Sequence, residues 1–104
     1  MIYAIHGTDE TKLAEVIEEM QILGAPTIKV VDCGDYMMAL EGSHRLAAAH
    51  ALGLEPKLII FEQDDDLNIA SFDWFDADNW DGEVYPAGEV AGELFSVQAV
   101  GYSF

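Results

Sequence analysis

Apolar residues recur at helical spacing early in the chain. Leu13, Val16, Ile17 and Met20 fall at i, i+3, i+4 and i+7, which predicts an amphipathic helix over residues 9–23. Thr8 is placed to cap it, Asp9 and Glu10 sit in a first turn that favours negative charge, and Gly24 with Pro26 ends it. Glu15, Glu18 and Glu19 lie off the stripe, on a solvated face. Before this helix, Ile2-Tyr3-Ala4-Ile5 is a short β-prone run closed by His6-Gly7. After it, residues 28–32 and 36–40 read as two strands around the turn Cys33-Gly34-Asp35. Residues 43–52 form a second helix with Gly53 as its left-handed cap. Leu58-Ile59-Ile60-Phe61 is a continuous apolar run, the pattern of a strand covered on both faces, so residues 36–61 make a strand–helix–strand unit of βαβ type. Beyond this point the pattern weakens. Gln63-Asp64-Asp65-Asp66 is a solvated acidic turn, residues 67–81 mix aromatics and aspartates with no dominant period, and residues 94–100 alternate as a last strand. The expected fold is α+β: one domain over residues 1–104, a mixed sheet with two main helices, and an acidic C-terminal extension over 63–104.

Composition narrows the setting. Apolar residues make up 51% of the chain, so a packed core is available. No apolar run approaches the ~20 residues of a membrane span, and the first residues carry neither a basic n-region nor an apolar h-region. A cytoplasmic protein without membrane contact is expected. The single Cys33 excludes an internal disulfide and a cysteine zinc site, and reads as a buried or turn-edge thiol. The formal net charge is −16, and it is unevenly spread: residues 63–104 hold ten acids and no lysine or arginine. Such a surface repels phosphate backbones, so direct nucleic-acid binding is not expected. Solubility, adaptation to high salt, and mimicry of a nucleic acid toward a basic partner all account for the acidity.

Against that background the one arginine stands out. Arg45 lies in Glu41-Gly42-Ser43-His44-Arg45, where an apolar strand gives way to an alanine-rich helix. Unpaired amides at a helix N-terminus carry the positive end of the helix dipole, and an adjacent guanidinium and imidazole complete an anion site. Gly42, Ser43, His44 and Arg45 are the candidate phosphate-binding residues. Pairing of His44 and Arg45 with Glu41 or a nearby aspartate is the structural alternative. Ser43 is expected to cap the helix, with a phosphate contact as its second role. Adjacent helix residues do not face one another, so Ser43 and His44 do not suggest a catalytic triad. His50 reads as a packed or half-exposed imidazole, and His6 as a candidate for the same pocket. Asp76-Ala77-Asp78-Asn79-Trp80-Asp81 hints at a calcium loop but places Trp80 at a ligand position and Asp81 where glycine is required, so no metal site is assigned.

With these elements in place, Tyr36-Met37-Met38-Ala39-Leu40-Glu41-Gly42-Ser43-His44-Arg45-Leu46-Ala47-Ala48-Ala49-His50-Ala51-Leu52-Gly53-Leu54, within residues 28–61, resembles the ParB/sulfiredoxin superfamily. The shared pattern is strand, Gly-x-His/Arg-Arg, alanine-rich helix, Leu-Gly and a further strand. The resemblance implies a nucleotide-binding domain, with Gly42 admitting close backbone approach and His44 and Arg45 holding phosphate oxygens. ATP or CTP with Mg²⁺ is the implied cofactor. The chain departs from each member it resembles. Sulfiredoxins carry their nucleophilic cysteine where Ser43 stands, ParB proteins carry Glu and Arg at Ser43 and His44, and free-serine kinases carry His at Ser43. Sulfinic-acid repair is therefore not expected.

Two functions follow. The first is binding of nucleotide phosphate at the 42–45 loop, with phosphoryl transfer or hydrolysis left open. No general base is assigned, and Glu41 is the nearest candidate acidic helper. The second is an acidic protein-binding module or inhibitor, of a phage or mobile-element kind, that uses residues 63–104 against a basic protein partner on a ParB-like scaffold.

Overall fold

The computed structural model describes residues 1–104, save the side chains of residues 96–98. The fold is α+β. Seven strands, three α-helices and one short 3-10 turn form a mixed five-stranded sheet and a separate two-stranded ribbon. The main sheet comprises β1 (Ile2–Ala4), β2 (Thr27–Asp32), β3 (Met37–Ala39), β4 (Lys57–Phe61) and β7 (Val100–Tyr102), in the order β4-β2-β3-β1-β7. The ribbon pairs β5 (Asp66–Asn68) with β6 (Val84–Pro86) in antiparallel fashion. The helices are α1 (Glu10–Leu23), α2 (Ser43–Leu52) and α3 (Ala87–Gln98).

The β2–β3 hairpin forms because Asp32 Oδ1 accepts the Gly34 amide at 2.9 Å and Gly34 adopts a φ of +91°. β1 pairs parallel to β3, and β4 parallel to β2. The unit over residues 36–61 is thus not a simple βαβ, because β2 lies between β3 and β4 and runs antiparallel to β3.

Alternation along the strands divides the core. Ile28, Val30 and Ala39 pack with Leu46, which seats α2 on the sheet. Helix α1 lies on α2 through Met20, Ala48 and Ala49, where small residues permit close approach. Val31, Met38 and Leu40 point the other way, into a cluster with Leu67, Ile69, Ala87, Val90, Ala91 and Leu94. The acidic segment 63–104 therefore contributes α3, a sheet strand and much of one core.

Three local expectations need correction. Asp9, not Thr8, caps α1: its carboxylate accepts the Lys12 amide at 3.0 Å. β4 is an edge strand rather than one covered on both faces, with Ile59 and Ile60 45% and 48% exposed. Residues 94–98 continue α3 instead of opening a strand, so the fold has three main helices and not two. The residues Ala87, Val90, Ala91 and Leu94 lie at i, i+3, i+4 and i+7, and burying that face on the sheet outweighs the alternation that follows it. Among the described residues no helix is long and apolar enough to cross a membrane.

Candidate functional site

A cleft of ≈ 580 Å³ opens where one side of α1, from Lys12 to Glu19, and the first turn of α2 meet the loop after β1 and the segment 71–74. That size suits a small organic ligand. Its floor is the strand-to-helix junction singled out by sequence. β3 ends at Ala39, and Gly42 turns the chain in the left-handed region, with φ +75° and ψ +38°, so that α2 starts at Ser43. A Cβ on Gly42 would lie 2.7 Å from Ile28 Cδ1 and 3.0 Å from Arg45 Nη2. Glycine is required there by both backbone angle and space.

Gly42, rather than Ser43, occupies the cap position of α2, and no side chain caps the helix. The Ser43 side chain therefore does not cap the helix. The residue is buried, 4% exposed, and its Oγ has no hydrogen-bond partner. A buried hydroxyl without a partner is destabilising by about 1–3 kcal/mol relative to a satisfied one. Ser43 lines the cleft.

His44 and Arg45 line it too, and both are already engaged. His44 Nε2 accepts the Asp9 amide at 3.1 Å, which ties the first turn of α2 to the start of α1. The tautomer that accepts at Nε2 carries its proton on Nδ1, leaving one donor for a ligand. Arg45 Nη1 donates to the Thr27 carbonyl at 3.1 Å, and Nη2 stands 3.8 Å from Glu41 Oε2. The carboxylate pairing considered for Arg45 is thus present. Its side chain is nevertheless 41% exposed, so the fork retains donors for an anion. Glu41 lines the cleft beside it.

Further lining residues carry signals that sequence reading passed over. Lys12 projects from the first turn of α1, where a cation opposes the helix dipole; that local conflict was the available clue. His6, a candidate for this pocket from the sequence, lines the cleft with its ring centroid 5.8 Å from that of His44. The opposite wall is aromatic. Phe72 and Trp74 stack at 5.3 Å and 8°, and Trp74 Nε1 donates to the Leu40 carbonyl at 2.6 Å, which fixes that wall to the end of β3. Lys29 Nζ lies 5.7 Å from the Phe72 ring centroid. These aromatics come from a segment without periodicity, so nothing in the pattern pointed toward the cleft. Glu19, Glu41 and Asp73 add carboxylates to the rim, so the site mixes both signs of charge.

His50 lies outside the cleft, exposed, with Nδ1 3.1 Å from the Ser103 carbonyl oxygen. Cys33 is half-buried, its Sγ 3.7 Å from the Val31 carbonyl oxygen. Burial raises the thiol above its ordinary pKa, against hydrogen bonds from Tyr36 and the Met38 backbone, with Asp32 adding to the rise. Neither residue joins the candidate site. The Asp76 carboxylate is taken up within its own turn, by the Asp78 amide and the Asn79 side chain. Among the described residues no group of three or more His, Cys, Asp or Glu side chains is placed to hold a metal ion.

Comparison of the chain with protein-family models, with curated proteins and with solved structures finds no match.

Proposed function

We propose that the cleft between the N-termini of α1 and α2 binds the phosphates of a nucleoside triphosphate, ATP or CTP, carried with Mg²⁺. The observation that supports this most directly is the buried Ser43 hydroxyl without a partner at an uncapped helix start. Free amides in the first turn of α2 and the hydroxyl beside them are donors that a phosphate oxygen would satisfy together. Lys12 and Arg45 supply charge from two sides, and His44 Nδ1–H supplies a neutral donor. Glu19, Glu41 and Asp73 would repel a bare triphosphate, so the metal travels on the phosphates and offsets that repulsion. The ParB/sulfiredoxin-like pattern of residues 36–54 supports the same assignment, and a cytoplasmic setting accords with a triphosphate ligand. Glu41, which lines the cleft beside Arg45, would be the acidic helper in any hydrolysis or transfer.

Calorimetry and thermal melting against all common triphosphates with Mg²⁺ test the reading. Ligand at about 100 times its dissociation constant should add roughly 2.7 kcal/mol of stability. Ser43→Ala separates binding from folding, because the two should move in opposite directions. Without ligand the variant should be as stable as the parent or more so, since an unsatisfied hydroxyl is removed. Its triphosphate affinity should fall several-fold. No heat and no melting shift with any triphosphate would refute the assignment.

A further inference from the structure

A second concavity, of ≈ 570 Å³, lies between the 74–85 segment and the first turns of α3. Two chemical kinds dominate its lining. Trp74, Trp80 and Tyr85 provide aromatic surface, and Asp81, Glu89 and Glu93 provide carboxylates. The rings form a chain of contacts: Trp74 to Trp80 at 5.8 Å and 47°, and Trp80 to Tyr85 at 5.2 Å and 65°. Each ring packs in part against the core cluster that holds α3 to the sheet, and each also lines the groove. The aromatic wall is therefore braced from behind. Asp81 and Glu89 are exposed, and no lysine, arginine or histidine occurs anywhere in residues 63–104.

We propose that this groove receives an arginine side chain of a basic polypeptide. Ring faces attract a cation through their quadrupole, and carboxylates at the edge of the same wall neutralise it. A guanidinium serves both at once. Its plane lies flat on indole or phenol while its fork donates to a carboxylate, whereas an ammonium is a compact, strongly hydrated charge that gains less from a flat wall. Charge complementarity selects the partner. Ten carboxylates without one compensating base lie along residues 63–104, so a basic chain is drawn to this part of the surface and an acidic one is repelled. The site is separate from the phosphate cleft, although Trp74 lines both.

The chain's two tryptophans, Trp74 and Trp80, both line the groove and Trp80 does not line the phosphate cleft, so the emission of Trp80 reads the groove's occupation. The full chain, without nucleotide and at about 0.15 M salt, is titrated with hexa-arginine, its citrulline counterpart and hexalysine. A saturable emission change is expected with hexa-arginine, none with the citrulline peptide, and at least about fivefold weaker binding with hexalysine. The double variant Asp81→Asn/Glu89→Gln, at exposed positions that leave the core intact, should weaken hexa-arginine binding at least about tenfold. The control Glu15→Gln/Glu18→Gln on α1 should change it less than about twofold. Trp80→Phe, which keeps a ring, should retain most of the affinity that Trp80→Leu loses. Equal affinity for hexalysine, equal loss in the α1 control, or a non-saturating signal would overturn the proposal, because each marks general attraction to an acidic surface.

Discussion

Replacing Gly42 with alanine tests whether the cleft's floor is built as described. Two costs are separable. Gly42 sits at φ +75°, and a left-handed backbone is unfavourable for an L residue by roughly 1–2 kcal/mol. The new methyl would also lie 2.7 Å from Ile28 Cδ1. Ile28 is fully buried between strand neighbours and α2, so it has little room to yield, and overpacking of this kind costs about 1–3 kcal/mol. Reduced freedom of the unfolded chain returns about 0.4–1 kcal/mol. The net expectation is a loss of about 2–4 kcal/mol, a large part of the ~5–15 kcal/mol that holds a small domain folded. For a chain of this size the melting point should fall on the order of 10–20 °C.

Gly53→Ala supplies the control. Gly53 caps the end of α2 at φ +68°, but nothing lies within 4 Å of its added methyl. It should incur the backbone cost alone, about 1 kcal/mol. Urea unfolding followed by far-ultraviolet circular dichroism measures both, and an unchanged m-value would show that the denatured state is not the cause. If the two substitutions destabilise by the same amount within ~0.5 kcal/mol, the steric part of the reasoning is wrong. The Ile28 contact would then not limit what the junction can hold.

Arg45→Ala should lower triphosphate affinity at least about tenfold by calorimetry, through loss of a charge-assisted contact, while changing stability by less than about 1 kcal/mol. The small stability effect follows from a half-exposed side chain and a long 3.8 Å ion pair; unchanged affinity in the folded variant would refute its role. A second expectation concerns alkaline pH. Burial foremost holds the Cys33 thiol above its ordinary range, and burial foremost, then the neighbouring Cys33, raises Tyr36 likewise. The native state thus binds these protons more tightly than the unfolded chain. Their contribution is complete below the pH at which an unfolded thiol ionises, ~8.5, and is lost as pH rises through the raised native values. The urea midpoint should fall above that pH, and Cys33→Ala should reduce the slope; an equal slope in the variant would refute the assignment.

The elements most legible in the sequence were those whose local signals agreed. Helix α2 runs Ser43–Leu52 with Gly53 as its cap, as glycine, alanine content and period all indicated. Helix α1 was misjudged only at its cap, because Thr8 and Asp9 are both capable residues and only the reach of the Asp9 carboxylate to the Lys12 amide decides between them. α3 was missed for a physical reason. Gly88 and Gly92 depress its helix propensity, yet Gly88 is needed because a Cβ there would stand 2.9 Å from the Gln63 Cβ. A tertiary approach set that residue, and no local pattern encodes such an approach. The same holds for β4. Four consecutive apolar residues do not say which strand ends a sheet, and only the order β4-β2-β3-β1-β7 leaves Ile59 and Ile60 exposed.

The candidate site was legible where chemistry conflicted with composition. A helix start favours acids, worth typically 0.3–1 kcal/mol each, and α1 obeys with Asp9 and Glu10. α2 does not: a chain with 20 acidic residues places none in its first turn, and sets His44 and Arg45 there instead. Lys12 repeats the anomaly on α1 and faces the same cleft. Two helix starts that each hold a cation meet through the His44–Asp9 hydrogen bond, and Glu41 and the Thr27 carbonyl offset only the one on α2. An anion in the cleft would reverse the sign of both costs. The buried Ser43 hydroxyl is a third local cost at the same place, and its remedy is the same oxygen acceptor. Independent penalties that one ligand would relieve together are stronger grounds for a site than any of these residues taken singly.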